Sequence, residues 1–149
     1  MNKFVGIMLA IGLAAVPAAG SAQAQRTPSE SLVADFLDAT FNRKAPEEAF
    51  AKYVGPYYRQ HNPTVPDGKE AIISRLRQWL PTVPALHYQI VRMISNGDLV
   101  AVHSKVTSNP EDRGMAVVDI FRLEDGKVVE HWDVATPVPE TSANTNTMF

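Results

Sequence analysis

The stretch that decides the fold reads VDIFRLEDGKVVEHWDV and covers residues 118–134. Apolar and polar side chains alternate on both sides of a central Glu-Asp-Gly-Lys run at residues 124–127. A period of two is typical of β-strands, and Asp-Gly is typical of a tight hairpin turn. The stretch therefore predicts two antiparallel strands over residues 115–123 and 128–136.

The same pattern extends upstream. Residues 86–95 and 99–107 alternate around an Asn-Gly-Asp run, which predicts a second hairpin. A polar loop at residues 108–113 joins the two hairpins. Because all the connections are short, we expect the four strands to form an antiparallel meander.

Helical periodicity precedes the strands. Thr27 to Glu30 has the spacing of a capping box and opens a helix whose apolar face extends to Phe41. A second helix begins at Pro46 and is ended by Gly55-Pro56, so the segment 57–63 is expected to be a loop. A third helix is expected from a second capping-box spacing at residues 67–70 and is ended by Pro81.

Helices that precede a meander indicate an α+β fold, in which N-terminal helices pack on a strongly curved antiparallel sheet. A bent sheet wrapped around a helix has the shape of a cone. Its concave side encloses more volume than so few side chains fill, which predicts a small-molecule pocket.

Composition excludes several functional classes. The chain has 149 residues and a formal net charge of −2, which favours a single domain without a basic face for nucleic acid. It contains no cysteine, so thiol catalysis, disulfides and thiolate metal sites are excluded.

Residues 1–24 have the pattern of a secretory signal peptide. Lys3 precedes an apolar run that Pro17 ends, and Ala22-Gln23-Ala24 fits a cleavage site. The run is shorter than the roughly 20 residues that cross a bilayer. We therefore expect cleavage after Ala24 and a soluble product without a membrane anchor, in the periplasm or outside the cell. In this product we expect an ordered core at about residues 29–139 and a loose tail at residues 140–149.

Polar side chains interrupt the apolar strand faces. Asp119, His131 and Asp133 alternate with apolar neighbours on the last two strands, and His103 does so on an earlier strand. A desolvated carboxyl group has a raised pKa, which suits proton transfer near neutral pH. Two interpretations stay open: a proton-transfer site in the pocket, or hydrogen-bonded structural residues on a wet strand face.

Two parts of the sequence resemble the SnoaL-like polyketide cyclase family of the nuclear-transport-factor-2-like superfamily. The first part is Tyr58-Arg59-Gln60-His61-Asn62-Pro63 together with residues 67–71, and the second part is residues 118–134. The resemblance covers roughly residues 29–139. It implies a cone-shaped fold, often dimeric, with an interior pocket and no cofactor. It also implies acid–base catalysis of an aldol ring closure, with Asp133 at the position of the family's aspartate and His131 and His61 assisting.

The sequence supports three hypotheses about function. The first is a cofactor-free lyase or isomerase that acts on a small carbonyl compound. The second is a non-catalytic periplasmic protein that binds a small hydrophobic ligand, and the third is a metal site built from His61, His103, His131 and Asp133. The absence of a compact ligand motif disfavours the third.

The face that carries Trp132 is a candidate dimer surface. The residues expected to contact a ligand are Tyr58, Asn62, Trp79, His103, Asp119 and Phe121.

Overall fold

The computed structural model describes residues 25–149, so the expected signal peptide at residues 1–24 lies outside the described part of the chain. Three α-helices and five β-strands are arranged with one strand between the second and third helices. Their bounds are α1 Pro28–Leu37, α2 Pro46–Tyr53, β1 Val54–Gln60, α3 Lys69–Trp79, β2 His87–Asn96, β3 Leu99–Thr107, β4 Met115–Glu124 and β5 Lys127–Pro137. Within residues 25–149, no helix has both the length and the apolar character needed to cross a membrane.

The sheet has the strand order β1-β5-β4-β3-β2. The predicted four-stranded meander is confirmed in β2 to β5, but β1 pairs in parallel with β5, so the sheet is mixed rather than purely antiparallel. The prediction of a loop at 57–63 was wrong for residues 57–60. Gly55-Pro56 ends α2 as expected, yet a proline is tolerated in β1 because this strand lies at the sheet edge.

The helix starts differ from each other. The capping box of α1 is confirmed, since Thr27 Oγ1 accepts from the Glu30 amide at 3.2 Å and Glu30 Oε2 accepts from the Thr27 amide at 2.9 Å. The second capping box is wrong: Gly68 precedes α3 without a side-chain cap. Asp67 Oδ1 accepts instead from the backbone N–H of Gln60 at 2.7 Å, and this hydrogen bond fixes the end of β1.

A π-helical turn at Asp38–Asn42 continues α1. It aims the Asn42 side chain at the backbone of β2, where its amide donates to Tyr88 O at 3.0 Å and its oxygen accepts from Tyr88 N at 2.8 Å. The Phe41 ring stacks on the Tyr88 ring at 5.0 Å. The turn therefore ties the helical layer to the edge strand β2 and positions both rings.

The helices cover one face of the sheet, here called the inner face. The core between the layers includes the buried side chains of Phe36, Phe50, Val100, Val102, Phe121 and Val128. The opposite, outer face leaves apolar side chains in solvent: Ile94 is 67% and Val134 is 70% exposed. Because residues paired across strands share a face, the register decides which polar groups enter the core layer.

Candidate active site

A cavity of about 420 Å³ opens between the helices and the inner face of the sheet. It adjoins a smaller, deeper recess of about 60 Å³, with which it shares lining residues such as Phe41, Leu76 and Asp119. The combined walls are mostly aromatic and aliphatic. A volume of this size with a few polar groups is typical of small-molecule sites.

The strand register brings the predicted polar residues into this cavity. Asp119 on β4 pairs with Asp133 on β5, and Phe121 pairs with His131, so the four side chains lie on the same face. Val102 of β3 pairs with Asp119, which identifies this face as the buried inner one.

Asp119 is buried, with 6% of its surface exposed, and it has two partners. The Tyr88 hydroxyl donates to its Oδ2, and His131 Nε2 lies 2.9 Å from its Oδ1. Burial, and then the charge of Asp119, raises the pKa of Tyr88 well above its usual range. Burial likewise raises the pKa of Tyr58, whose ring lies beside His131. Both phenols therefore remain protonated near neutral pH.

The second nitrogen of His131 contacts Gln60. Gln60 pairs with His131 across the parallel strands, and its Oε1 lies 3.2 Å from His131 Nδ1. The same Oε1 accepts from the backbone amide of Asn62 at 2.9 Å, which identifies this atom as the oxygen. Both ring nitrogens of His131 thus contact oxygen atoms, which fixes the orientation of the ring.

Asp133 is only half satisfied. Its Oδ2 accepts from Asn62 Nδ2 at 2.9 Å. The orientation of the Asn62 amide is fixed because its Oδ1 accepts from the Thr64 amide at 2.9 Å and from the Thr64 hydroxyl at 2.7 Å. Asp133 Oδ1 is buried and has no hydrogen-bond partner among residues 25–149. A buried carboxylate oxygen without a donor is costly, and such atoms in native structures are often functional.

His61, which the sequence grouped with Asp133 and His131, lies on the outer side of the sheet. Its Nε2 is 2.8 Å from Glu130 Oε1, and its ring stacks on Trp132 at 4.6 Å. Arg122 Nε donates to Glu130 Oε2 at 2.7 Å, and Arg59 contributes a longer contact at 3.4 Å. The hydrogen bond from His61, then that from Arg122, lowers the pKa of Glu130 to about 2. We call these residues the outer network.

His103 also lies outside the cavity. It pairs with Val118, which places it on the outer face, opposite to Val102 and Asp119. Its ring stacks on Phe149 at 5.9 Å, and Lys105 Nζ lies 5.4 Å from the same Phe149 ring. The prediction that His103 contacts a ligand in the cavity was therefore wrong, because the register between β3 and β4 aligns Asp119 with Val102 and leaves His103 on the outer face.

The other predicted residues reach the cavity or its recess. Asn62, Trp79, Asp119, His131 and Asp133 line the large cavity, and Tyr58 and Phe121 line the recess. The four residues of the hypothetical metal site are divided between the two faces of the sheet. Among the described residues 25–149, no group of three or more histidine, aspartate or glutamate side chains converges as metal ligands would.

Sequence reasoning missed two functional residues: Gln60, which bridges His131 and Asn62, and Tyr88, which bonds Asp119. A period of two is present in the segment 57–61, where Tyr58 and Gln60 point inward. The preceding Gly-Pro pair predicts a loop, and that prediction conceals the alternation.

The comparisons agree with this architecture. The model of the SnoaL-like domain matches residues 33–131. TsrD from Streptomyces laurentii is 25% identical, with a TM-score of 0.61 over 76% of this chain and 91% of that chain. A proposed polyketide cyclase from Acidithiobacillus ferrooxidans is 17% identical, with a TM-score of 0.62 over 73% of this chain and 88% of that chain.

A proposed isomerase of the SnoaL-like family from Agrobacterium tumefaciens is 13% identical, with a TM-score of 0.63 over 74% of this chain and 99% of that chain. A search of curated proteins finds no match. The α+β architecture is nuclear-transport-factor-2-like, as expected from the sequence. Because the domain model spans more than half of the residues, this chain belongs to the SnoaL-like domain family.

Proposed function

We propose that the protein is an acid–base enzyme that removes a proton from the carbon next to a carbonyl group of a small, largely apolar compound. Asp133 is the base, and the reaction is of the aldol cyclase or isomerase type. The observation that carries the proposal is the half-satisfied carboxylate, with Oδ2 held by Asn62 and Oδ1 buried without a partner at the wall of the cavity.

The proposed step needs only side chains. Asp133 Oδ1 takes the α-proton, the C–H electron pair forms the C=C bond of an enolate, and the carbonyl π pair moves to oxygen. In a cyclase the enolate carbon then attacks a second carbonyl, and Asp133 returns the proton to the new alkoxide. In an isomerase the proton returns to a different carbon. General acid–base catalysis of this kind contributes about 10²–10⁴-fold to a rate.

The surroundings of Asp133 support this role. The cavity walls are mainly apolar, which strengthens the interaction of charges inside the site. His131 is held between Asp119 and Gln60, and these contacts fix its ring beside the cavity. His131 and Asp119 are positioning residues in this proposal, because their polar atoms are engaged with each other and with the protein. His61 has no part in it.

The comparisons support the reaction class. Solved structures with this fold include proteins described as proposed polyketide cyclases and as a proposed isomerase. A cyclase or an isomerase that removes a proton next to a carbonyl group needs a base such as Asp133. We extend this class to the present chain on the strength of the cavity and Asp133.

The experiment measures exchange of the α-protons of 2-tetralone, a small bicyclic ketone, in D₂O by ¹H NMR. We expect the protein to accelerate exchange and Asp133→Asn to lose at least about a hundredfold of that acceleration. Asp35→Asn, at an exposed position of α1, is the matched control and should match the wild type. Equal exchange by the wild type and Asp133→Asn would refute the assignment of the base. Ketone binding without exchange would favour the hydrophobic-ligand carrier.

We also propose that the outer face of the sheet mediates a homodimer. Val118 and Val134 pair across β4 and β5, and they are 36% and 70% exposed. An apolar patch of this kind on a sheet is typical of an interface. Light scattering should report a dimer for the wild type and a monomer for Val134→Glu.

We propose export as the location of action, on the basis of the signal-peptide pattern in residues 1–24. Mass spectrometry of the protein recovered from the periplasm or the medium should give a chain that begins at Gln25. A cytoplasmic chain that retains Met1 would contradict this proposal.

A further inference from the structure

We infer that Gln60 is a second catalytic residue, whose side-chain N–H group donates a hydrogen bond to the carbonyl oxygen of the substrate. The inference rests on the proposed function and names the group that stabilises the enolate. It assigns to the site a paired donor and acceptor, which selects compounds with a carbonyl oxygen next to an acidic C–H.

The orientation of the Gln60 amide is determined by its neighbours. A backbone N–H can only donate, so the atom that lies 2.9 Å from Asn62 N must be the oxygen. The contact of the same oxygen with His131 Nδ1 at 3.2 Å agrees with this assignment. The amide nitrogen, Nε2, therefore points away from both residues.

Gln60 Nε2 has two N–H groups to offer. It makes no hydrogen bond to any residue in the part of the chain that the structure describes, whereas Gln60 lines both the large cavity and the recess. Two other donors near Gln60 are engaged: the Tyr88 hydroxyl with Asp119, and Asn62 Nδ2 with Asp133.

The site thus contains an unpaired donor on Gln60 and an unpaired, buried acceptor oxygen on Asp133, and both residues line the cavity. Asp133 Oδ1 receives the α-proton as the C–H bond breaks, and negative charge develops on the carbonyl oxygen. A hydrogen bond from a fixed amide strengthens as that charge grows, so it stabilises the transition state more than the bound ketone. The rigid contacts of Gln60 Oε1 mean that the amide is oriented before the ligand arrives.

The first test is Gln60→Glu, assayed by α-proton exchange of 2-tetralone. A carboxylate keeps oxygen atoms for Asn62 N and His131 but has no N–H donor, so we expect kcat to fall at least about tenfold while KM changes less than about threefold. Gln89→Glu makes the same change at an exposed position of β2 and should leave exchange unchanged. Gln60→Met, which lacks both the charge and the donor, should also lose at least about tenfold.

The outcomes separate this inference from the proposed function. If Asp133→Asn abolishes exchange while Gln60→Glu and Gln60→Met stay within about twofold of the wild type, the role of Gln60 is overturned and the base stands. If the wild type does not exchange the ketone, the proposed function and the catalytic role of Gln60 both fail, and infrared spectroscopy of the bound carbonyl tests separately whether Gln60 donates a hydrogen bond to it.

The infrared measurement uses 2-tetralone labelled with ¹³C at its carbonyl carbon and bound to the Asp133→Asn protein. A hydrogen bond from Gln60 lowers the C=O stretching frequency relative to the double variant that also carries Gln60→Met. A purely structural role for Gln60 predicts the same frequency in both proteins, and that result would overturn the inference.

Discussion

Glu130 and Asp133 are carboxylates on the same strand, β5, but they lie on opposite faces of the sheet and differ in how many hydrogen-bond partners they have. Glu130 belongs to the outer network, where three basic side chains contact its two oxygens. Asp133 faces the cavity, where Asn62 contacts one oxygen and the other has no partner within residues 25–149. The Glu130 side chain is only 8% exposed, so a carboxylate in this fold can be both shielded from solvent and fully paired.

Satisfaction of hydrogen bonds, rather than burial, distinguishes Glu130 from Asp133, which we propose to be the base. Three cationic or potentially cationic side chains hold the Glu130 charge, so its proton affinity is low and it has no free site for a ligand. Asp133 lines the cavity and retains a buried oxygen without a hydrogen-bond partner. Removing the charge of Asp133 should therefore lower the reaction rate and leave stability nearly unchanged. Removing the charge of Glu130 should lower stability and leave the rate nearly unchanged.

The largest effect is expected on proton exchange. Asp133→Asn should lower the 2-tetralone exchange rate by about 10²–10⁴-fold, whereas Glu130→Gln should leave it within about threefold of the wild type, because Glu130 does not reach the cavity. NMR exchange rates at equal protein concentration provide the measurement. Comparable losses in the two variants would remove the distinction between the faces.

Stability should respond in the reverse order. Glu130→Gln leaves Arg122 and His61 without their charged partner and should lower the free energy of unfolding by about 2 kcal/mol. This loss is smaller than that expected for a fully buried ion pair, because the side chains of Arg59 and His61 reach solvent. Asp133→Asn should change it by less than about 0.5 kcal/mol. Urea unfolding monitored by circular dichroism measures both, and a larger loss in Asp133→Asn would contradict the comparison.

Acid should weaken the outer network in a defined window. The folded-state pKa of Glu130 is lowered from 4.5 to about 2, so its contribution to stability is fully present above about pH 4.5 and is lost as the pH falls through about 2. We expect the urea midpoint of the wild type to fall more steeply between about pH 5 and pH 3 than that of Glu130→Gln. Parallel pH dependences in the two proteins would show that another group dominates this range.

The smallest effect is expected from His61→Gln. Loss of the stacking contact with Trp132 and of the hydrogen bond with Glu130 should cost about 1 kcal/mol of unfolding free energy. Exchange of 2-tetralone should change less than about twofold, because the side chain lies on the outer face. A fall in exchange as large as that of Asp133→Asn would restore His61 to the proposed site.

Most of the fold could be predicted because its signals are local. The two hairpins arise from alternating residues around Asn-Gly and Asp-Gly, and both turns contain a glycine with positive φ, Gly97 at 61° and Gly126 at 69°. The capping box at Thr27 likewise depends only on four consecutive residues. Such features need no knowledge of distant contacts.

The errors come from long-range pairing. β1 pairs with β5, which is distant in the sequence, and the proline and glycine of β1 imitate a loop. Without that partner strand, the inward or outward direction of Gln60 and His61 could not be assigned, so the prediction included the outward residue and missed the inward one. His103 failed for a related reason, because the register between two strands decides the face and is not encoded in either strand alone.

The π-helical turn at Asp38–Asn42 gives the cavity wall an adjustable part. Such turns correspond to one extra residue in a helix, and each residue rotates the subsequent side chains by about 100° around the helix axis. Deleting one residue there would turn the Phe41 ring away from Tyr88 and change the size or shape of the cavity. The cavity carboxylates Asp119 and Asp133, which lie on the sheet, would stay in place. Relatives could thus diverge in the size of molecule they accept through one deletion, without any change to the reacting groups.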